Sequence, residues 1–300
     1  MASKSTQDKG DLKSIFHDPD HYIKSFGVYA QASAKYQVLA NWGENVFSEV
    51  VAKKLQLNIA DGEAFRALGV GVGSGEMDTK MMCKLRDRYP LISNIAVEPA
   101  AGQIKLYQDL ATKMAVKLNG ITTDWRKQGL DEFRRSKVES GDTTKYHFIS
   151  SIHSLYYVDD LDDSVKWLYD QLEDGGMMMI ITVSDNSGFW RLWNRYKLFE
   201  DQLLRFCNSE HIREACSKQK IPFTNYKQKS RVDITDSFEE GNVDGQLKVD
   251  FLAHVVDFHS TASPALQQEL LEYLGGPECS ERRDGEVLFD NDWDAVIVTK

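Results

Sequence analysis

Long hydrophobic runs are absent from this chain. The longest uninterrupted apolar stretch, Met177 to Ile181, is five residues, where a bilayer-spanning helix needs about 20. No membrane partner is therefore expected. The first residues, Met1 to Gly10, are polar and carry no apolar core for export. Cysteine is scarce and scattered: Cys83, Cys207, Cys216 and Cys279 form no CxxC pair and no metal-ligand spacing. A disulfide framework and a metal site are both unexpected, and free thiols point to a reducing cytoplasmic setting. Basic charge is also short. Lys and Arg number 36 against 46 Asp and Glu, giving −10 with the acids spread along the whole chain. A nucleic-acid partner would need a basic face, so none is expected, while a small cationic or neutral substrate stays open. There is no internal repeat and no low-complexity linker.

What the chain has in quantity is apolar and aromatic side chains: 42% hydrophobic residues, with 14 Phe, 12 Tyr and 6 Trp. Three hundred residues of this composition can bury a large core. Its most informative stretch runs from Phe65 to Asp78. A strand-like apolar run enters a turn with glycines at Gly69, Gly71, Gly73 and Gly75, then a helical pattern. Glycines there let the backbone approach a ligand closely, and the first amides of the helix point back at it.

Around that turn the pattern alternates. Strands are expected at Phe65–Val70, Asn94–Val97, Gly120–Thr122, Tyr146–Ser151 and Met177–Val183, with helices at 78–89, 101–118, 131–139 and 161–173. Gly175-Gly176 reads as the stop of the last helix. The alternation predicts an α/β fold, a parallel sheet covered by helices on both faces. Before it, helical patterns run over 12–26 and 34–55. After it, 185–223 is aromatic-rich and helical, with Phe189, Trp190, Trp193, Tyr196, Phe199 and Phe206. Lys229–Thr235 and Ala295–Thr299 read as two last strands. The expected organisation is an N-terminal helical cap over 1–64, contributing to a substrate pocket. A core over 65–300 follows, with insertions at about 185–225 and 239–290.

The glycine turn distinguishes two nucleotide-binding families. Dinucleotide dehydrogenases use G-x-G-x-x-G, whose third glycine permits close helix–strand packing. Here that position is Glu76, and the spacing that stands is Gly71-x-Gly73-x-Gly75. Glu98 ends the second strand 27 residues after Gly71, and a carboxylate there can accept both hydroxyls of a ribose. The alternative is a solvated strand-end acid. Together these features resemble the class I S-adenosylmethionine-dependent methyltransferases. That resemblance implies a Rossmann-like, seven-stranded, mostly parallel sheet with helical substrate-binding additions, its last strand inserted antiparallel beside the fifth.

Further stretches resemble the histamine N-methyltransferase family along almost the whole chain. They include His21 to Phe26, Gly71 to Asp78, Val97-Glu98-Pro99 with Gln103, and Leu155-Tyr156-Tyr157-Val158. Later come Val183-Ser184 to Trp193, Asp233-Ile234, Asp250-Phe251-Leu252, and Gly285 to Asn291. The resemblance implies S-adenosyl-L-methionine as cofactor, held at Gly71, Gly73, Glu98, Gln103 and Ile152. A family serine after the third strand falls near Gly129-Leu130, where no hydroxyl exists. It also implies a substrate pocket with an aromatic box, matched by Tyr22, Phe26, Tyr156, Tyr157, Trp193 and Phe251, with Phe189 where the family has tryptophan. Asn291 matches a substrate-contacting asparagine. Core packing is the competing role for each aromatic.

Two departures bear on the acceptor. A family glutamate that pairs with the substrate's ammonium falls on Lys35, and a family glutamine on His153. A lysine there repels an ammonium and attracts a carboxylate, which favours histidine or carnosine over histamine. The competing reading is a solvated lysine on a helix face. The expected activity is N-methylation of a small imidazole by a monomer. Asn291 and His153 would orient the ring, with His153 as a less favoured candidate general base. Two readings stay open beside it: methylation of another small amine, and cofactor binding without turnover.

Overall fold

The strand–helix alternation expected from Phe65 onward is present. The computed structural model describes residues 12–55, 57–60, 62–196 and 205–300, so Phe199 lies outside the described residues. The strands among the described residues are β1 (Phe65–Val70), β2 (Ile92–Val97), β3 (Ile121–Arg126), β4 (Tyr146–Ile152), β5 (Leu172–Val183), β6 (Phe223–Gln228), β7 (Arg231–Asp233), β8 (Ser280–Arg283), β9 (Glu286–Asp290) and β10 (Trp293–Thr299). The helices begin with α1 (Pro19–Ala32), α2 (Lys35–Asn41), α3 (Glu76–Arg86), α4 (Ala101–Lys113), α5 (Leu130–Ser140) and α6 (Leu161–Asp170). They continue with α7 (Gly188–Arg195), α8 (Ser209–Lys218), α9 (Val243–Ala253), α10 (Phe258–Thr261) and α11 (Pro264–Leu274). None is long and apolar enough to cross a membrane.

The described residues fall into two units. The first comprises Leu39–Thr182, Ser209–Tyr226 and Asp294–Lys300. It is built on a seven-stranded sheet of order β3-β2-β1-β4-β5-β10-β6. β1 pairs in parallel with β2 and β4, and β4 with β5. β10 runs antiparallel beside β5, since Gly175 N–H donates to Lys300 O and Lys300 N–H to Gly176 O, both at 3.0 Å. Met177 to Ile181, the longest apolar run, is an inner strand with every side chain at most 2% exposed. Burial on both faces explains why it reads as a continuous run rather than an alternation. α6 covers this core with Val165 and Leu168, which pack with Ile149, Met178 and Ile180. Asp160 caps the helix by accepting the Asp163 amide.

Three expectations change here. The main sheet's outer strand beside β10 is β6, not Lys229–Thr235, of which only Arg231–Asp233 is strand, in a separate sheet. β6 reads Phe-Thr-Asn-Tyr-Lys-Gln and stays largely half-exposed, so it lacks the apolar run that marks a buried strand. Gly175-Gly176 do not stop a helix. α6 ends at Asp170, and the glycines lie in a bulge of β5, between Leu172 opposite Tyr146 and Met177 opposite Phe148. The helical run over 34–55 is three pieces: α2, then wide turns at Trp42–Val46 and Ser48–Ala52 with i to i+5 bonding.

The second unit comprises the described residues of Met1–Val38, Val183–Asn208 and Lys227–Trp293. α1 starts at the Asp18-Pro19 junction, where Asp18 accepts the His21 amide and proline occupies the first turn. It packs against α9, while β7-β9-β8 form a small antiparallel sheet. The chain after α1 is stitched to that sheet by a bridge between Ser33 and Val232.

Candidate active site

In the first unit the site grows from the turn between β1 and α3. Gly71, Gly73 and Gly75 all have positive φ, at +63°, +54° and +77°, the region where a side chain is strained. Their surroundings differ. A Cβ on Gly71 would lie 2.2 Å from Ser154 Cβ, and one on Gly75 2.2 Å from the Tyr107 ring. On Gly73 the nearest neighbour would be Gln103 Oε1 at 3.9 Å. Gly71 and Gly75 therefore let protein pack against the turn, while Gly73 borders open space beside Gln103.

Glu98, at the end of β2, is buried and shapes this turn. Its Oε2 accepts the Gly73 amide at 3.0 Å and its Oε1 the Ala100 amide at 2.9 Å. Each carboxylate oxygen keeps a further lone pair for a hydroxyl. Beneath the turn, Asp78 Oδ2 accepts from Tyr107 Oη at 2.5 Å and Asn94 Nδ2 at 2.6 Å. Burial raises the Asp78 pKa, and the two donors partly offset it. This buried network was not foreseen; its signal is the acid inside an otherwise helical first turn, Glu76-Met77-Asp78.

The end of β4 carries the next group. Ser154 Oγ donates to Val70 O at 2.8 Å and meets Ser151 Oγ at 2.7 Å, tying β4 to β1 beside Gly71. Ile152 ends the strand, and His153 follows with φ +51°, a strained value often found at functional positions. His153 Nδ1 lies 2.8 Å from Tyr156 Oη, with the rings stacked at 6.2 Å. Tyr156 is buried, whereas Tyr157 is 50% exposed. Leu130, at the start of α5, is buried in the hydrophobic core, and Gly129 precedes the helix without a side-chain cap. A cavity of about 190 Å³ lies elsewhere, lined by Glu63, Arg66, His147 and Glu173 among others, and none of the expected site residues borders it.

In the second unit the expected acceptor residues form a connected aromatic group. Tyr22 stacks on Phe26 at 5.8 Å, and Phe26 meets Phe251 at 5.5 Å. Tyr29, unforeseen, links this trio to the rest, 4.4 Å from Phe251 and 6.2 Å from Phe189. Phe189 sits edge-on to Trp193 at 4.8 Å, and Trp193 faces His254 at 5.3 Å. The pair that sets α1 against α9 is His21 Nε2 with Asp250 Oδ2 at 2.8 Å. Asp257 lies 3.9 Å from His21 Nδ1, which gathers a histidine and two acids. Asp250 is already engaged on both oxygens, by His21 and by the Phe258 amide, so its role is bracing.

Asn291 follows β9 and is 3% exposed. Its amide donates to Ser230 O, and its Nδ2 to Ser33 Oγ at 3.3 Å. Ser33 Oγ also accepts the Lys35 amide at 3.1 Å, so Lys35 and Asn291 share one anchor. Lys35 is half-buried, and burial alone draws its ammonium pKa from 10.5 to about 7. No carboxylate among the described residues forms an ion pair with it, and no acid offsets the shift. A half-buried cation without a counter-charge keeps part of its desolvation cost, and a ligand carboxylate would relieve it.

A family model described as a methyltransferase domain matches residues 42–221. The chain is 33% identical to histamine N-methyltransferase B of Xenopus laevis, covering 96% of this chain and 98% of that protein. It is 32% identical to histamine N-methyltransferase of Cavia porcellus, with the same two coverages. Among solved structures, the YcgJ protein of Bacillus subtilis matches with a TM-score of 0.52 at 12% identity, over 84% of this chain and 97% of that one. The last supports the fold alone. The open Gly73 and the double-acceptor Glu98 fit S-adenosylmethionine, the cofactor of this class. On the evidence of the two enzyme relatives and the domain match, the chain belongs to the histamine N-methyltransferase family and is an S-adenosylmethionine-dependent N-methyltransferase.

Proposed function

We propose that the acceptor is a small imidazole bearing a carboxylate, such as histidine or carnosine, methylated on a ring nitrogen. The observation that carries this reading is Lys35, a half-buried lysine anchored through its backbone amide to Ser33 Oγ beside Asn291, with no carboxylate partner among the described residues. A primary ammonium in the same place would meet like charge, whereas a carboxylate would supply the missing partner. Bound S-adenosylmethionine would supply an electrophilic methyl group on a sulfonium. Gly71, Gly73, Glu98, Gln103 and Ile152 would hold it, with Glu98 accepting from the ribose hydroxyls.

A neutral imidazole nitrogen is already a nucleophile, and an ordinary imidazole (pKa about 6.5) is mostly neutral near pH 7. The work left to the protein is positioning and exclusion of water. Within the second unit, Tyr22, Phe26, Phe251, Phe189 and Trp193 would provide an apolar, planar enclosure, and Asn291 would orient the ring. In the first unit, Tyr156, Tyr157 and His153 are candidate acceptor contacts, His153 as an orienting group. The contact between His153 Nδ1 and Tyr156 Oη favours orientation over proton acceptance, and His153→Gln should keep the pH–rate profile. A cytoplasmic setting fits the scattered free thiols, and a monomer is the proposed state.

Assays on histamine, histidine and carnosine with the wild type and Lys35→Glu test the reading. Wild type should favour a carboxylate-bearing acceptor about tenfold or more in kcat/KM, and Lys35→Glu should reverse that order. A strong preference for histamine, unchanged in Lys35→Glu, would sink it.

A further inference from the structure

We infer that Tyr107 and Asp78 act as one positioning pair for the cofactor, clamping the glycine turn from beneath so that Gly73 and Glu98 stay placed for S-adenosylmethionine. Asp78 stands in the first turn of α3, Asn94 in β2 and Tyr107 in α4, and all three residues are at most 3% exposed. None of them borders the open side of Gly73, where the nearest neighbour is Gln103. Their part in binding is therefore indirect, exerted through the turn.

The turn is gripped at both ends. At its exit the Tyr107 ring lies under Gly75, where any Cβ would come within 2.2 Å of it. The same side chain's Oη donates to Asp78 Oδ2 at 2.5 Å, and Asn94 Nδ2 donates to that oxygen at 2.6 Å. Burial, and after it the Asp78 charge, raises the Tyr107 pKa, so the phenol keeps its proton and remains a donor. At the entrance, a Cβ on Gly69 would lie 2.7 Å from Asp78 Oδ1 and 2.5 Å from Val72 Cγ1. One carboxylate thus rests on the strand that enters the turn, and its phenol partner on the glycine that leaves it. Between those ends the Gly71 amide donates to Val97 O at 2.8 Å and the Gly73 amide to Glu98 Oε2 at 3.0 Å. Asn94 ties the clamp to the same strand, β2. Without the phenol hydroxyl the buried carboxylate loses a donor. A shift of the first turn of α3 repairs that loss and carries Gly75 and Gly73 with it.

The test compares Tyr107→Phe with Tyr89→Phe in the full-length protein. Tyr89 is also buried and follows the far end of α3, where its Oη donates to Leu55 O at 2.7 Å. Each variant removes one phenol hydroxyl from a buried bond, so melting temperatures should fall for both. Calorimetry with S-adenosylhomocysteine reads binding at the cofactor site without turnover. Tyr107→Phe should weaken that binding about fivefold to tenfold and raise KM for S-adenosylmethionine more than it lowers kcat. Tyr89→Phe should bind as the wild type does. Asp78→Asn should weaken binding too, and the double variant should lose much less than the product of the two single losses. Unchanged affinity in Tyr107→Phe, an equal loss in Tyr89→Phe, or a double variant that multiplies the two losses would overturn the inference alone. Absence of S-adenosylhomocysteine binding by the wild type would overturn it together with the cofactor site.

Discussion

At the scale of single residues, Lys35 and the turn glycines carry the clearest consequences. The folded pKa of Lys35, about 7, lies below the ordinary 10.5. Between those values the unfolded chain binds more protons, so stability rises with pH across the window. Lys35→Met removes the cost of partly burying the charge. It should raise the melting temperature more at about pH 6 than at about pH 9, and calorimetric melts at both would show it. Asp78 has the opposite sign. Burial raises its pKa above the usual 3.8, so the folded state holds the proton more tightly and stability falls as pH rises through that window. Asp78→Asn should flatten the fall, as read from denaturant midpoints against pH. Among the glycines, Gly75→Ala puts a methyl 2.2 Å from the Tyr107 ring and should cost several kcal/mol, on the order of 3. Gly73→Ala meets nothing closer than 3.9 Å. It should cost about 1–2 kcal/mol from its positive φ and weaken S-adenosylhomocysteine binding more than folding, as paired melts and calorimetry would reveal. The spacing of these glycines was legible in the sequence. That Gly71 and Gly75 face protein while Gly73 faces open space was not, because the opposing Ser154 and Tyr107 come from distant segments.

At the scale of elements, legibility followed burial. β1, β4 and the second half of β5 are enclosed on both faces, and such strands announce themselves as apolar runs. β6 is stabilised by what it pairs with rather than by its own side chains, so its polar sequence concealed it. α1 and α9 illustrate a related limit. Each reads as a helix, but the pair is set by His21 and Asp250, 229 residues apart. Leaving one partner of a largely buried side-chain hydrogen bond unsatisfied typically costs about 1–3 kcal/mol. His21→Ala should destabilise the protein on that order. Because Tyr22 and Phe251 are the neighbours of the bonded pair, it should also raise KM for the acceptor while S-adenosylhomocysteine affinity holds. Equal loss of both affinities would point to general unfolding instead.

At the scale of the molecule, a ligand that binds only the folded state should stabilise it by about 2.7 kcal/mol at a hundredfold excess over Kd. S-adenosylhomocysteine should therefore shift the melt upward by a few degrees, and Glu98→Ala should abolish the shift while retaining a cooperative transition. The division into two units cut across expectation of any simple linear order. Each unit draws on three separate stretches of chain, and no composition change marks the crossings at Val38, Val183 or Lys227. Alternating patterns report local partners, and these units are assembled from remote ones.

The place of β10 bears on how this sheet closes. The strand follows both β5 and β6 in sequence, yet it lies between them, with Ala295 to Val298 at most 3% exposed. Until it is in place, β5 has an open edge and β6 has no neighbour on that side. The second unit waits as well, since α1 needs α9 and Ser33 needs Val232. Before β10 inserts, the sheet presents open strand edges. Refolding from denaturant should therefore be slow, since the non-local β5–β10–β6 pairing closes last.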